Sequence, residues 1–118
     1  MISNTDISKK YDLLIDTLIM SCSDLGVTTT DEIEDYLEEL EGDYYTFFDR
    51  ANLIELYNAG LLNDWQLEKI GLLKNKIGDI PVSFWNEKSF KIEPQWSEVR
   101  ILSNHILNSI GITKRKID

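Results

Sequence analysis

His105 and Cys22 are the chain's single imidazole and its single thiol. A metal site needs several such groups, or carboxylates, at ligand spacing, and one of each does not supply them. Nucleophilic catalysis needs a nucleophile, a base and an orienting group within reach, so one histidine allows one arrangement at most. His105 stands beside Ile106 near an apolar stripe, the place of a structural or surface histidine. Cys22 lies on an apolar stripe and reads as a core thiol. Asp24 beside it would raise its pKa and work against a reactive thiolate. The six glycines are isolated from one another, which leaves no glycine-rich phosphate loop. The expectation is a protein that is not an enzyme and carries no metal or cofactor.

Carboxylates are the abundant chemistry. Residues 24–49 hold ten acids (Asp24, Asp31, Glu32, Glu34, Asp35, Glu38, Glu39, Glu41, Asp43 and Asp49) and no Lys or Arg. Residues 66–118 hold six acids and nine bases. The net charge of −9 therefore belongs to the first half of the chain. Ile33, Tyr36, Leu37 and Leu40 interrupt the acids at core-facing spacing, so the run is not a Ca²⁺ loop. Any acidic helix offers carboxylate pairs, and none here singles itself out as a general acid and base.

A solvated helix surface ordinarily mixes signs to gain i,i+4 pairs, and this one does not. Tyr36, Tyr44 and Tyr45 are interleaved with its acids. Tyrosine offers contact area and a polar tip at small entropic cost. An acidic, tyrosine-bearing face suits a Lys/Arg-rich protein surface, met through electrostatic steering and charge-assisted hydrogen bonds. The same charge repels nucleic acid and anionic membranes, so neither is an expected direct partner. Lys88, Lys91, Arg100, Lys114, Arg115 and Lys116, with Trp85, Phe90 and Trp96, read as a solvated face and core aromatics, not as a nucleic-acid stripe.

The elements that carry these residues follow from periodicity. The chain has 118 residues, 42% hydrophobic and 28% charged, enough for one globular domain without metal or disulfide staples. Ile7, Tyr11, Leu14, Leu18, Cys22 and Leu25 predict a helix over about 6–25, closed by Gly26. Thr29 and Glu32 form a capping-box pattern, and Ile33, Leu37 and Leu40 predict a second helix that ends at Gly42. Acids in its last turn, Glu38, Glu39 and Glu41, would oppose its dipole. A third helix is expected over about 43–59, the aromatic run 44–48 leaving a short strand as the alternative. Asn63 caps a fourth, through Trp65, Leu67, Ile70, Leu73 and Ile77 to Gly78, with Pro81 preventing its continuation. Residues 79–93 read as a loop with an irregular turn near 82–85. Pro94 opens the last helix, with Val99, Leu102, Ile106 and Ile110 as its stripe and Gly111 as its end. The tail 113–118 reads as basic and frayed.

The fold expected is an all-α, single-domain bundle of about five helices over 1–118 with short connections. No run approaches the roughly 18 apolar residues of a membrane span, the start is polar, and a single cysteine suits a reducing compartment. The expected location is cytoplasmic.

The run DEIEDYLEELEGDYYTFFDRANLIEL, followed by LLNDWQLEKIGLLKNKIG and FW, resembles small helical bacterial immunity proteins, including those paired with Maf-like and contact-dependent growth inhibition toxins. The similarity covers about residues 10–86. In that group an acidic helix leads through a turn, here Glu41-Gly42-Asp43-Tyr44, into the next helix. The resemblance implies a one-to-one inhibitor of a cognate toxin, foremost a basic nuclease, whose active site or substrate channel it blocks. The residues expected to meet it are Glu34, Asp35, Glu38, Glu39, Glu41, Asp43, Tyr44 and Tyr45. The rival expectation is an acidic nucleic-acid mimic or regulatory binding module, such as a phage-encoded inhibitor, using the same face. A toxin gene upstream would favour the first, phage genes the second.

Overall fold

A computed structural model of the chain describes residues 4–23 and 26–117, and its regular structure is all helical. The helices are α1 (Asn4–Ser21), α2 (Thr30–Phe47), α3 (Arg50–Asn58), α4 (Asp64–Gly78), α5 (Glu87–Ile92) and α6 (Pro94–Ile110), with a 3₁₀ turn at Val82–Phe84 between α4 and α5. The protein is thus a small all-α bundle, with one helix more than the sequence suggests. α1 packs against both α2 and α6, and α4 lies along α6. Leu14 and Leu18 of α1, Leu40 of α2, Ile70 and Leu73 of α4, and Val99 and Ile106 of α6 are fully buried and form the centre. Burying each such side chain stabilises the fold by about 1.5–3 kcal/mol.

Capping sets the starts of the helices. Thr29 Oγ1 accepts from the Glu32 N–H at 3.2 Å, and Glu32 Oε1 accepts from the Thr29 N–H at 2.9 Å. Asn63 and Gln66 make the same reciprocal pair at 2.8 and 2.9 Å. The amide of Gln66, itself buried, also donates to Ser109 Oγ at 3.1 Å and so ties α4 to α6. Asn63→Ala is expected to lower the unfolding free energy by about 1 kcal/mol, measured by urea denaturation. A loss below a few tenths would show that Gln66, and not the cap, fixes the start of α4.

Several expectations are corrected. α2 does not stop at Gly42: it runs to Phe47, because Tyr44 and Phe48 continue the stripe of Leu37 and Leu40 into the core. The packing outweighs the roughly 1 kcal/mol by which a helical glycine is disfavoured. Residues 41–44 are therefore helix interior and not a turn, and Glu38, Glu39 and Glu41 lie mid-helix, away from the negative end of the dipole. The break falls at Asp49, whose carboxylate accepts from the Ala51 N–H at 3.1 Å and starts α3.

Within 79–93, the turn at Val82–Phe84 lies where an irregular turn is expected, but α5 follows it. Asn86 caps α5 through the Ser89 N–H at 2.9 Å, and Phe90 anchors it in the core. The first helix ends at Ser21 and does not extend to Leu25 as expected: Cys22 is already a turn and Ser23 is non-helical, while positions 24 and 25, and with them the effect of Asp24 on Cys22, lie outside the described residues.

The tail is not frayed through residue 117. Arg115 Nε donates to Asn104 Oδ1 at 2.6 Å, and its two terminal nitrogens reach the Ile112 carbonyl and Asn108 Oδ1. Lys116 meets Glu32 at 3.0 Å, and the Ile117 N–H donates to the Tyr36 hydroxyl at 3.2 Å. Gly111, at φ 89°, supplies the left-handed turn that sends the tail back across α6 toward α2.

Candidate functional site

The sequence of α2 gives it two faces. Ile33, Leu37 and Leu40 are buried, with Tyr36 and Tyr44 half-buried beside them. Glu34, Asp35, Glu38, Glu39, Glu41 and Tyr45 are exposed. At about 100° per residue, Glu34, Glu38, Glu41 and Tyr45 fall on one flank of the exposed face. Asp35 and Glu39 form the adjoining row. Asp43, about two and a half turns from Glu34, sits on the far flank, half-buried. The eight expected contact residues are therefore not one cluster. The structure gathers Glu34, Glu38, Glu41, Tyr44 and Tyr45 and leaves Asp43 apart.

The gathered residues border a shallow groove. Glu34, Leu37, Glu38 and Glu41 line its upper part together with Trp85. Glu41, Tyr44, Gly78, Val82 and Trp85 line the middle, about 400 Å³ in volume. Tyr44, Tyr45, Lys74 and Asp79 line its lower end. Its far wall is the end of α4 and the 3₁₀ turn, which leaves Val82 87% exposed. Tyr45 is 68% exposed at the rim.

The floor is built from the core outward. Phe90 and Trp96 are buried with ring centroids 5.1 Å apart. Trp96 meets Trp85 edge to face at 5.0 Å, Trp85 lies 6.1 Å from Tyr44, and Tyr44 is perpendicular to Tyr45 at 6.3 Å. Trp96 Nε1 donates to the Phe84 carbonyl at 2.8 Å, which pins the 3₁₀ turn and so the groove wall. Aromatic pairs at such separations add about 0.5–1.5 kcal/mol beyond area burial. Trp85 and Val82 are site residues that periodicity does not reveal, since they lie in a connection too short for a stripe. The aromatic pair Phe84-Trp85 inside an otherwise loop-like segment is the one signal in the sequence that points to them.

Charge pairing separates the acids. Glu32 is neutralised by Lys116, and Asp49 stands 3.5 Å from Lys74. Glu34 accepts from the Glu87 N–H at 3.2 Å and secures the start of α5. Among the described residues, no Lys or Arg pairs with Asp35, Glu38, Glu39, Glu41 or Asp43. Lys74 lies 4.9 Å from the centre of the Tyr45 ring and is the cation nearest the groove's lower end. The field of carboxylates is therefore largely uncompensated along the groove.

Other groups with possible chemistry are placed as follows. Cys22 is buried and its thiol is pushed up to about 12 by that burial, with Arg115 and Arg100 opposing. His105 is exposed on α6. Among the described residues no three His, Cys, Asp or Glu side chains converge as metal ligands, and no helix is long and apolar enough to cross a membrane. Of the basic residues, Lys91 pairs with Glu87 and Lys116 with Glu32.

Partial burial raises the pKa of the Asp43 carboxyl from its ordinary value. The folded state then holds a proton that the unfolded chain releases at lower pH. Its contribution to stability is full below the unfolded value and is lost as pH rises through the folded one. Asp43→Asn is expected to raise the melting temperature at about pH 7 and to leave it unchanged at about pH 3, where both states are protonated. An equal shift at both values would assign the effect to shape and not to charge.

No family model, no curated protein and no solved structure matches this chain.

Proposed function

We propose that the chain is an immunity protein, a one-to-one inhibitor that docks a basic protein, foremost a nuclease toxin domain, in the groove beside α2. The observation that carries this is the line of Glu38 and Glu41, without basic partners among the described residues, above a floor of Trp85 and Tyr44. Among the described residues Glu38 and Glu41 hold no ion pair, and at this density exposed acids repel one another, so these two add nothing to the fold. A basic partner supplies what they lack. A nuclease surface is basic because it binds phosphates, and an acidic inhibitor complements it. The aromatic floor gives the aliphatic stems of Arg or Lys a surface to lie on, and the ring faces attract their charged heads.

No step of the proposal requires chemistry from the chain itself. Co-expression with the product of the neighbouring gene tests it. The expected result is a 1:1 complex that forms fastest at low salt and in which that product's activity is suppressed. A neighbouring product that stays fully active, or does not bind, would overturn the assignment.

A further inference from the structure

A second depression of about 380 Å³ lies away from the carboxylate groove, between the end of α1, α6 and the returning tail. Ser97, Arg100 and Asn104 line it from α6, Arg115 from the tail, and Cys22 and Ser23 from the end of α1. Positions 97, 100 and 104 recur every three or four residues, so α6 presents them on one face. Its size falls within the range of small-molecule sites.

The charge of this depression is opposite to that of the molecule. Lys10, Lys74, Lys76, Lys91 and Lys116 each pair with a carboxylate. The two arginines here do not: among the described residues they bond only to neutral oxygens. Arg115 donates to Asn104, Asn108 and the carbonyls of Ile112 and Lys114. Arg100 donates one N–H to the Phe90 carbonyl and lies 5.0 Å from the centre of the Phe90 ring. A guanidinium carries five N–H donors, so most of those on Arg100 remain open. Arg100 is half-buried, and that desolvation lowers its pKa, as expected of a cation held out of water without an anion. A chain of net charge −9 has acids in excess, yet none of the described ones compensates these two guanidinium groups.

We infer that this depression binds a small phosphomonoester, its phosphate held by Arg100, Ser97 and Ser23 with Arg115 behind it. Two guanidinium charges match a dianion. A carboxylate takes two in-plane bonds from one arginine, whereas a phosphate accepts from donors on several sides. The Ser97 and Ser23 hydroxyls line the depression with Arg100, and the Ser23 hydroxyl would exchange its long 3.4 Å contacts with the Ile19 and Met20 carbonyls for the phosphate. Ile101, 55% exposed at the rim, and the Cys22 side chain offer an apolar wall for the organic part of the ligand. The site stands whether or not the carboxylate groove docks a protein.

Phenyl phosphate, inorganic phosphate and benzoate, titrated separately into the full chain at constant ionic strength and followed by amide NMR shifts, test it. Phenyl phosphate is expected to give saturable shifts centred on Ser23, Ser97, Arg100 and Asn104. Inorganic phosphate should bind the same place more weakly, and benzoate negligibly. Arg100→Gln is expected to weaken phenyl phosphate by about tenfold or more, the loss of charge-assisted hydrogen bonds. Ser97→Glu keeps a half-exposed helix position and places a carboxylate one turn from Arg100. It is expected to abolish binding while leaving the fold intact, so the inference stays testable if Arg100→Gln unfolds. Shifts that grow linearly without saturating, that spread over exposed lysines such as Lys88, that persist in Ser97→Glu, or that are stronger for benzoate would overturn it.

Discussion

Trp96→Ala is expected to lower the unfolding free energy by about 3–5 kcal/mol, the largest effect of any single truncation in this chain. Trp96 is 0% exposed, is the largest fully buried side chain among the described residues, and contacts Phe90 on one side and Trp85 on the other. Its removal leaves a cavity at the joint of α5, α6 and the 3₁₀ turn, and it frees the Phe84 carbonyl from its only described side-chain donor. Small domains hold about 5–15 kcal/mol in all, so much of the stability is at stake. Urea titration should show a lower midpoint with the slope preserved. Trp96→Phe keeps a ring in place and should lose less. A loss under about 1 kcal/mol for the alanine variant would mean that the aromatic stack is not part of the cooperative core.

The second large effect is kinetic. Exchanging Glu38 and Glu41 for lysine turns the middle of the groove from acidic to basic without touching a buried side chain. Association with the cognate partner is expected to slow by tenfold or more at low salt, the scale of electrostatic steering. The difference should shrink as ionic strength rises toward the point where the screening length falls below about 10 Å. Asp35→Lys with Glu39→Lys changes net charge equally on the adjoining row. It should slow the encounter comparably but leave the dissociation rate closer to that of the native protein. Glu68→Lys, exposed on α4, changes the total charge by half as much and gauges the effect of charge outside α2. Equal dissociation rates for the two double variants would place the contact on the whole acidic face and not in the groove.

Much of this architecture could be read from residue types alone, and the misreadings have identifiable causes. The capping boxes at Thr29 and Asn63 are local, each complete within four residues, and they stand where the sequence puts them. Gly42 misleads because a glycine stops a helix only when nothing beyond it needs the helix to continue. Here Tyr44 and Phe48 do, and open space surrounds the glycine's missing Cβ. α5 escapes notice because six residues with one buried side chain give no periodicity. The tail escapes because its order comes from Asn104, Asn108 and Tyr36, partners reached only once the bundle has formed. The acidic flank was legible as charge. Its second wall was not, since Trp85 and Val82 are brought to α2 by tertiary contact through Trp96.

Three indoles in three settings make the molecule its own optical reporter. Trp96 is sealed from water, Trp65 is 42% exposed on α4, and Trp85 stands at the groove floor between them in accessibility. With Trp65 replaced by phenylalanine and the partner's own emission subtracted, a change in emission wavelength or quenching on complex formation reports on Trp85 and on the Trp96 ring 5.0 Å from it. Occupancy of the groove can thus be followed in solution by intrinsic fluorescence, with no dye attached and no carboxylate altered.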